Sequence, residues 1–421
     1  MFERRKAIPV EEAIERIMQF AKEGEVERVP ILQSHHRYLA ETLVATHDVP
    51  AFDRSPLDGF AIRAEDTLEA SSEHPVELKV TETVGAGHLA SRPIAKGEAI
   101  RIMTGALIPE GCDAVVMFEL AKEVEHHGEA YIQVKRQFKS GDSISFQGED
   151  TKKGTVLIEK GRIIDPGIMA LLATFGYAEV SVFRKPKVGI YATGTELLEV
   201  EEALQPGKIR NSNAYMVAAQ VERVGGEPIY YGKLPDQLDT CYTAITKAFD
   251  EVDILITTGG VSVGDFDLLP EIYKKMEAEV LFNKVAMRPG SVTTVAQKNG
   301  KILYGLSGNP SACYVGFELF ARPVIRTMCG STRPYLCCEK AILGYDNSKP
   351  NPFTRFVRSY TWIEDGVLHV GSTGLDKSGA VVSLGETNSL LILPGGTRGF
   401  QKGEQVNVLL FHDKGCERLW T

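Results

Sequence analysis

From Lys187 onward the chain alternates short apolar runs with amphipathic helical patterns, and this constrains the fold more than any other feature. The runs are Val188–Ala192, Ile229–Leu234, Ile254–Thr257 and Ile302–Leu306. Between the first two, Val217, Val221 and Val224 recur on one helical face. Asn213 is the expected N-cap and Gly225-Gly226 the stop. Leu238, Cys241, Tyr242, Ile245 and Phe249 mark a second helix, and Leu269, Ile272, Tyr273 and Met276 a third. Asn309 and Pro310 are expected to cap and open a fourth, running to about Arg322. Runs too short for helices, each followed by a helix, predict a doubly wound parallel sheet with helices on both faces.

Both flanks read differently. Ile14, Ile17, Met18 and Ala21 place one amphipathic helix near the start. Residues 51–140 hold short alternating runs such as Glu77–Val84, Ala99–Met103 and Ala114–Phe118, a β-rich pattern. After residue 329, Arg355–Ile363, Val367–Val370, Leu390–Leu393 and Gln405–Phe411 form another. The chain therefore reads as multidomain α/β. A linker region comprises 1–50 and 141–183, with a β-rich domain inserted at 51–140. The α/β domain spans 184–328, and a C-terminal β domain spans 329–421.

Composition narrows the function classes. A net charge of −9 disfavours nonspecific nucleic-acid binding. No apolar run approaches the roughly 20 residues of a membrane-spanning helix, and the charged start lacks the apolar core of a signal peptide. Seven cysteines, an odd number with no CxxC pair, predict free thiols in a reducing, cytoplasmic setting. Cys337-Cys338 are expected to be inert. His35-His36 and His126-His127 lack metal-site spacing.

Ligands of open α/β sheets bind at the carboxyl ends of the strands. Three loops fall there: Thr193-Gly194-Thr195-Glu196, the stretch from Thr258-Gly259-Gly260 through Ser262 and Gly264 to Asp267, and Leu306-Ser307-Gly308-Asn309-Pro310. Each puts glycine and hydroxyl groups just past a strand, where backbone N–H groups can meet an anion. A tight turn accounts for one such loop; three in one sheet predict a phosphate site. Glu196, Asp236 and Asp267 share that edge. Carboxylates near phosphate repel it unless a cation such as Mg²⁺ stands between them. Asp236 has the second reading of a helix cap. Lys284 and Arg288 lie four apart on an expected extended segment, so both charges face one side, toward the anion. The cluster around Asp58, with Thr104 and Asp150 further on, reads by composition as turns.

The stretches SPLDGFAIRAEDT, IMTGALIPEGCDAVVMFE, GEDTKKG, IYATGTELLE, IRNSNAY, TTGGVSVGDFD and LSGNPSACYVGFELFARPVI occur in that order. With them the chain resembles, over nearly its whole length, the MoeA family of molybdopterin molybdenumtransferases, homologous to the gephyrin E domain. The resemblance implies that 184–328 is a molybdopterin-binding domain and that the linker region serves dimerisation. It implies an enzyme that inserts molybdate into adenylylated molybdopterin, with Mg²⁺-dependent release of AMP, forming molybdenum cofactor. It also implies a homodimer with its active site between domains of different subunits. By motif, Asp58, Thr104, Asp150, Glu196 and Asp267 match functional positions. Gly194, Gly259, Gly260, Ser262, Gly264, Lys284, Arg288, Asn309 and Pro310 are expected to bind substrate, and Glu196, Asp236 and Asp267 to hold metal. Other proteins of molybdenum cofactor biosynthesis are compatible partners.

Five positions depart from the family pattern. Arg288 stands where lysine is usual, Ser291 replaces a lysine, and Ser307 replaces the proline before GNP. Ser145 replaces a frequent arginine, and Gln237 a frequent aspartate. Three other readings compete: a tungsten-inserting paralogue, a non-catalytic scaffold of the same fold, and a nucleotide pyrophosphatase built on the central domain. The matched N-terminal motifs argue against the last.

Overall fold

The computed structural model describes residues 6–234, 237–260, 268–350, 352–411 and 419–420. Asp236, Ser262, Gly264 and Asp267 lie outside them. The chain divides into two compact units. One comprises Met1–Glu41, Lys160–Ala170 and Ala178–Thr421; the other comprises Thr42–Glu159 and Leu171–Tyr177.

In the first unit the expected alternation is present. Its elements are β1 (Lys187–Thr193), α1 (Asn213–Arg223), β2 (Glu227–Leu234), α2 (Leu238–Glu251), β3 (Ile254–Thr258), α3 (Leu269–Lys275), β4 (Glu279–Phe282), β5 (Thr294–Lys298), β6 (Lys301–Leu306), α4 (Pro310–Gly316) and α5 (Arg322–Met328). The strand order is β2-β1-β3-β6-β5-β4. β2, β1, β3 and β6 are parallel; β5 runs antiparallel to β6 and to β4. The parallel sheet thus carries two further strands that the apolar pattern does not announce. Successive strand residues feed opposite layers. Ile254, Ile256, Ile302, Tyr304 and Leu306 join Val217 and Val221 on one face. Leu255 and Leu303 join Cys241, Ile245, Ile272 and Tyr273 on the other. This alternation makes the sheet doubly wound.

Two helix boundaries differ from expectation. Asn213 is the first residue of α1 rather than its cap, and its side chain donates to Gly308 O at 2.8 Å. Asn211 does the capping instead, with Oδ1 accepting Ala214 N–H at 3.2 Å. The helix opened by Pro310 does not end near Arg322. It passes through a π-helical turn, Phe317–Ala321, and continues as α5 to Met328.

The C-terminal segment forms strands Cys337–Leu343, Thr354–Glu364, Val367–Ser372, Ser389–Leu393 and Gln405–Leu410. Thr354–Glu364 pairs with both Val367–Ser372 and Ser389–Leu393, which closes the sheet into a barrel. The two-residue strand Met287–Arg288 joins its edge parallel to Thr354–Arg355. In the second unit six strands pair in the order Ala114–Met117, Gly59–Ile62, Glu98–Ile102, Val76–Val84, Glu129–Val134, Ala121–His126. Phe60, Ile62, Leu78, Ile132 and Phe138 fill one core there. Gly59 is required: a Cβ would overlap the Val116 carbonyl of the paired strand.

The π-helical turn buries Glu318 completely. Gln220 Nε2 donates to it at 2.6 Å, Arg223 pairs with it, and the almost fully buried Arg322 lies 3.7 Å away. Burial of charge is tolerated only with such compensation. Glu318→Ala leaves buried guanidinium charge unbalanced and is expected to cost about 3–5 kcal/mol. Tryptophan fluorescence during urea unfolding reads this, since both tryptophans, Trp362 and Trp420, belong to the first unit. An unchanged midpoint would contradict the assignment.

Candidate functional site

Strand order places β1 between β2 and β3, so the connections leaving β1 and β3 diverge to opposite faces. A crevice opens at such a switch point. The loops after β1, β3 and β6 meet there. Thr193 Oγ1 donates to Thr258 O at 3.2 Å, joining the end of β1 to the end of β3. Gly259 N–H donates to Leu306 O at 2.8 Å, joining β3 to β6. Gly259 has φ +94°, and a Cβ on it would stand 2.6 Å from Thr193 O and 2.7 Å from Thr193 Oγ1. Gly308 also approaches closely, for its Cβ would lie 3.5 Å from Gly259 Cα.

Gly194, Glu196, Gly259, Gly260, Asn309 and Pro310 therefore share one edge, as their positions in sequence predict. Glu196 is exposed and its carboxylate folds back over Gly194, where a Cβ would meet Oε2 at 2.5 Å. The donors at the start of α4 are less open than expected. Pro310 has no N–H, Ser311 N–H donates to Ser378 O at 3.0 Å, and Asn309 N–H donates to Ser307 Oγ at 3.2 Å. Among the described residues no three His, Cys, Asp or Glu side chains converge as a metal cluster. Asp236 and Asp267, the other two carboxylates expected on this edge, lie outside those residues.

Lys284 and Arg288 flank the edge on a segment that is not one continuous strand. Met287 N–H turns back to Val285 O at 2.9 Å, so only Met287–Arg288 pair as strand. Burial still alternates: Val285 and Met287 are buried, Lys284 is half-buried and Arg288 exposed. Both charges therefore leave the buried side, by a local turn rather than by strand geometry. Ile8 brackets the segment, accepting from Ala286 N–H at 2.8 Å and donating to Lys284 O at 3.2 Å. At its far end a Cβ on Gly290 would lie 3.3 Å from Ala312 O, which puts the segment beside the start of α4.

Sequence reasoning missed the barrel's contribution. Ser311 is held from both ends, its N–H by Ser378 O and its hydroxyl, at 2.5 Å, by Ala380 O. Arg355 stands in register beside Arg288 and pairs with Asp376, which Lys349 approaches at 3.8 Å. No local signal marks these residues, because their contacts span long stretches of chain.

In the second unit, the stretches around Asp58, Thr104 and Asp150 form one loop cluster. Arg54 and Ser145 exchange backbone hydrogen bonds at 2.9 Å, Ser55 N–H donates to Ala106 O at 3.0 Å, and Asp150 N–H donates to Val49 O at 3.0 Å. Asp58 Oδ1 accepts both Thr104 N–H, at 2.7 Å, and Thr104 Oγ1–H, at 2.8 Å. Composition alone reads these stretches as turns. They are turns, and they also bring exposed Asp58 and Thr104 into contact; Asp150 is exposed too.

Three family models match the chain: the MoeA N-terminal region (domain I and II) over residues 8–176, a probable molybdopterin binding domain over 189–327, and the MoeA C-terminal region (domain IV) over 340–411. The molybdopterin molybdenumtransferase of Bacillus subtilis is 56% identical over 422 residues, covering 100% of this chain and 98% of that protein. That of Staphylococcus aureus is 49% identical over 415 residues, covering 99% and 98%. A crystal structure of the molybdopterin biosynthesis MoeA protein from Pyrococcus horikoshii OT3 superposes with a TM-score of 0.80 at 35% identity, covering 96% of this chain and 100% of that one.

The Asp58–Thr104 pair has a titration consequence. The Thr104 backbone N–H first, and its hydroxyl second, hold the Asp58 carboxyl below the ordinary aspartate value. A depressed folded-state pKa stabilises the fold above the unfolded value, and that contribution is lost as pH falls through the folded value. Thr104→Val keeps the N–H and removes the hydroxyl, so the Asp58 pKa should rise part of the way back. A carboxyl-carbon NMR titration of Asp58 in both proteins measures this; an unmoved or lowered value would contradict it.

Proposed function

Since this chain belongs to the MoeA family of molybdopterin molybdenumtransferases, we propose that it inserts molybdate into adenylylated molybdopterin, with Mg²⁺-dependent release of AMP, to form molybdenum cofactor. The observation that carries this reading is the convergence of three glycine-containing loops at the switch point of the central sheet, flanked by Lys284 and Arg288. A homodimer and a cytoplasmic location belong to the same proposal.

The chemistry brings a molybdate dianion to a substrate that already carries a pyrophosphate link, so charge neutralisation dominates. Lys284 and Arg288 are the cations assigned to that task. Arg288 offers a planar fork of donors where a lysine would offer a point charge. Gly194, Gly259 and Gly260 belong to the edge assigned to the substrate, and Gly259 shapes it by letting the ends of β1 and β3 close on each other. The carboxylate oxygens of Glu196 suit a hard cation such as Mg²⁺, and Asp236 and Asp267 complete the proposed oxygen donor set. When bound, Mg²⁺ offsets charge on the phosphate oxygens. Thr104 holds Asp58 ionised, and Asp58 is assigned to coupling molybdate insertion to the release of AMP. Asp150 is assigned to the same cluster.

AMP release is the direct test, with molybdate and Mg²⁺ varied independently. Release should require both. Asp58→Asn should retain the adenylylated substrate and fail to release AMP on adding molybdate. Brisk release without molybdate would point to a pyrophosphatase and sink the reading. Separately, Lys284→Ala should weaken binding of adenylylated molybdopterin by roughly 1–3 kcal/mol, the scale of a charge-assisted hydrogen bond. Isothermal titration measures this, and equal affinity would return Lys284 to a solvated edge.

A further inference from the structure

The stretches IYATGTELLE and IRNSNAY contain polar residues that the reading above leaves without a role. They bracket residues 194–212, which run from the end of β1 to the start of α1, longer than the roughly 12–15 residues that loops without structure of their own rarely exceed. This excursion contains only two short strands, Leu197–Leu198 and Ile209–Arg210, paired in parallel. Residues 200–207 are exposed throughout. Glu196 stands at its root, and its own carbonyl accepts Ile209 N–H at 2.9 Å. A carboxylate on so extended a loop is held in one place only if something else fixes the loop.

The fixing groups form a directed chain of hydrogen bonds. Asn211, 1% exposed, accepts Ala214 N–H at Oδ1, 3.2 Å. That settles which end of its amide is oxygen, so Nδ2 donates to Tyr230 Oη at 2.8 Å. Tyr230 must then spend its own proton elsewhere, and it donates to Glu199 Oε1 at 2.9 Å. Tyr215 Oη–H approaches Glu199 Oε2 at 3.4 Å. Tyr230 lies on β2, in register with Ile190 of β1, so the chain ends on the rigid sheet. Burial, with the neighbouring Glu199 carboxylate, pushes the phenol up, so it remains a donor at any working pH. Asn211 N–H also donates to Leu198 O at 2.8 Å, tying the same residue to the strand beside Glu196.

We propose that Glu199, Asn211 and Tyr230 are positioning residues that clamp the 194–212 excursion and so hold the Glu196 carboxylate at the carboxyl edge of the sheet. The proposal rests on the reading of Glu196 given above. A linked chain of this kind is cooperative: loss of one member loosens the rest. Tyr230→Phe removes the donor to Glu199 and the acceptor for Asn211 while keeping the ring.

Two measurements on the full-length protein test the proposal. In hydrogen exchange, the amides of Ile209 and Asn211 report the ladder at Glu196 and Leu198. In Tyr230→Phe they should exchange about tenfold faster, the scale of one lost hydrogen bond to a charged group, with β3 amides unchanged. In AMP release, Tyr230→Phe and Glu196→Gln should each lower kcat/KM, and the double variant should be no slower than Glu196→Gln alone, because the clamp acts through Glu196. Unchanged exchange at Ile209 and Asn211 overturns the clamp whatever the activities are. Faster exchange with additive rate losses overturns its action through Glu196. A fully active Glu196→Gln overturns the reading of Glu196 itself, and exchange distinguishes that failure from failure of the clamp.

Discussion

Between the ends of β1 and β3 there is room for a hydrogen atom at residue 259 but not for a methyl group. A Cβ there would press on both the carbonyl and the hydroxyl of Thr193. That closeness lets Gly259 N–H reach Leu306 O and lets Gly308 approach Gly259 Cα, so three strands end level with one another. Further contacts depend on the same approach. Gly308 O receives the Asn213 amide from α1, and Ser311 just beyond is held by the Ser378–Ala380 loop of the barrel. Pushing the β1 loop away at residue 259 would disturb α1, the start of α4 and the barrel loop together. The mutual dependence of these contacts makes the edge a preorganised surface rather than a set of independent turns.

An acidic chain that handles anions needs its positive charge in the right place rather than in excess. The net charge of −9 acts at distances where salt screens it, within about 10 Å at ordinary ionic strength. In the proposed reaction, charge at contact distance is assigned to Lys284 and Arg288. The local turn at Met287 and the bridge to Ile8 fix where their side chains leave the backbone. Arg355 adds a guanidinium in register with Arg288, but Asp376 occupies it, so its charge is shared. The sheet edge and the basic segment meet because Gly290 lets the backbone lie against Ala312 at the start of α4.

Periodicity revealed the fold well where burial obeys a period. Val217, Val221, Ile245, Phe249, Ile272 and Tyr273 all face the core as their spacing predicts. It was silent where contacts are long-range. β4 and β5 are short and mixed in polarity, and they are strands because β6 offers them an edge. Asn213 has the composition of a cap, but the Gly308 carbonyl takes its amide and Asn211 caps in its place. The continuous extended reading of Lys284–Arg288 failed for a local reason, since a single backbone bond from Met287 to Val285 redirects the chain. Within the candidate site, the glycines were legible because tight approach restricts residue type. Ser378, Ala380 and Arg355 were not, because any residue supplies a carbonyl and an arginine in a strand carries no address.

Two departures from the family pattern, one in each compact unit, fall in turns. At residue 307 a serine replaces a proline whose ring would have restricted the chain before the Gly-Asn-Pro turn. Ser307 is buried, and its hydroxyl accepts Asn309 N–H, so a hydrogen bond restores the restriction that the ring supplied. At residue 145 a serine stands where arginine is frequent, beside the carboxylate of Glu149. The Ser145 hydroxyl and then Phe146 N–H hold that carboxyl below the ordinary glutamate range, and Arg54, paired across the backbone with Ser145, adds a weaker pull. At both positions the serine hydroxyl takes part in a hydrogen bond within the turn. A turn of this kind tolerates the exchange of covalent or ionic restraint for hydrogen bonds, because the loop geometry is what it must preserve. Charge is not recovered in that way. With Ser291 neutral, more of the anion neutralisation in the proposed reaction falls to Lys284 and Arg288, and the donor fork of Arg288 becomes the feature that distinguishes this site from a lysine-bearing one.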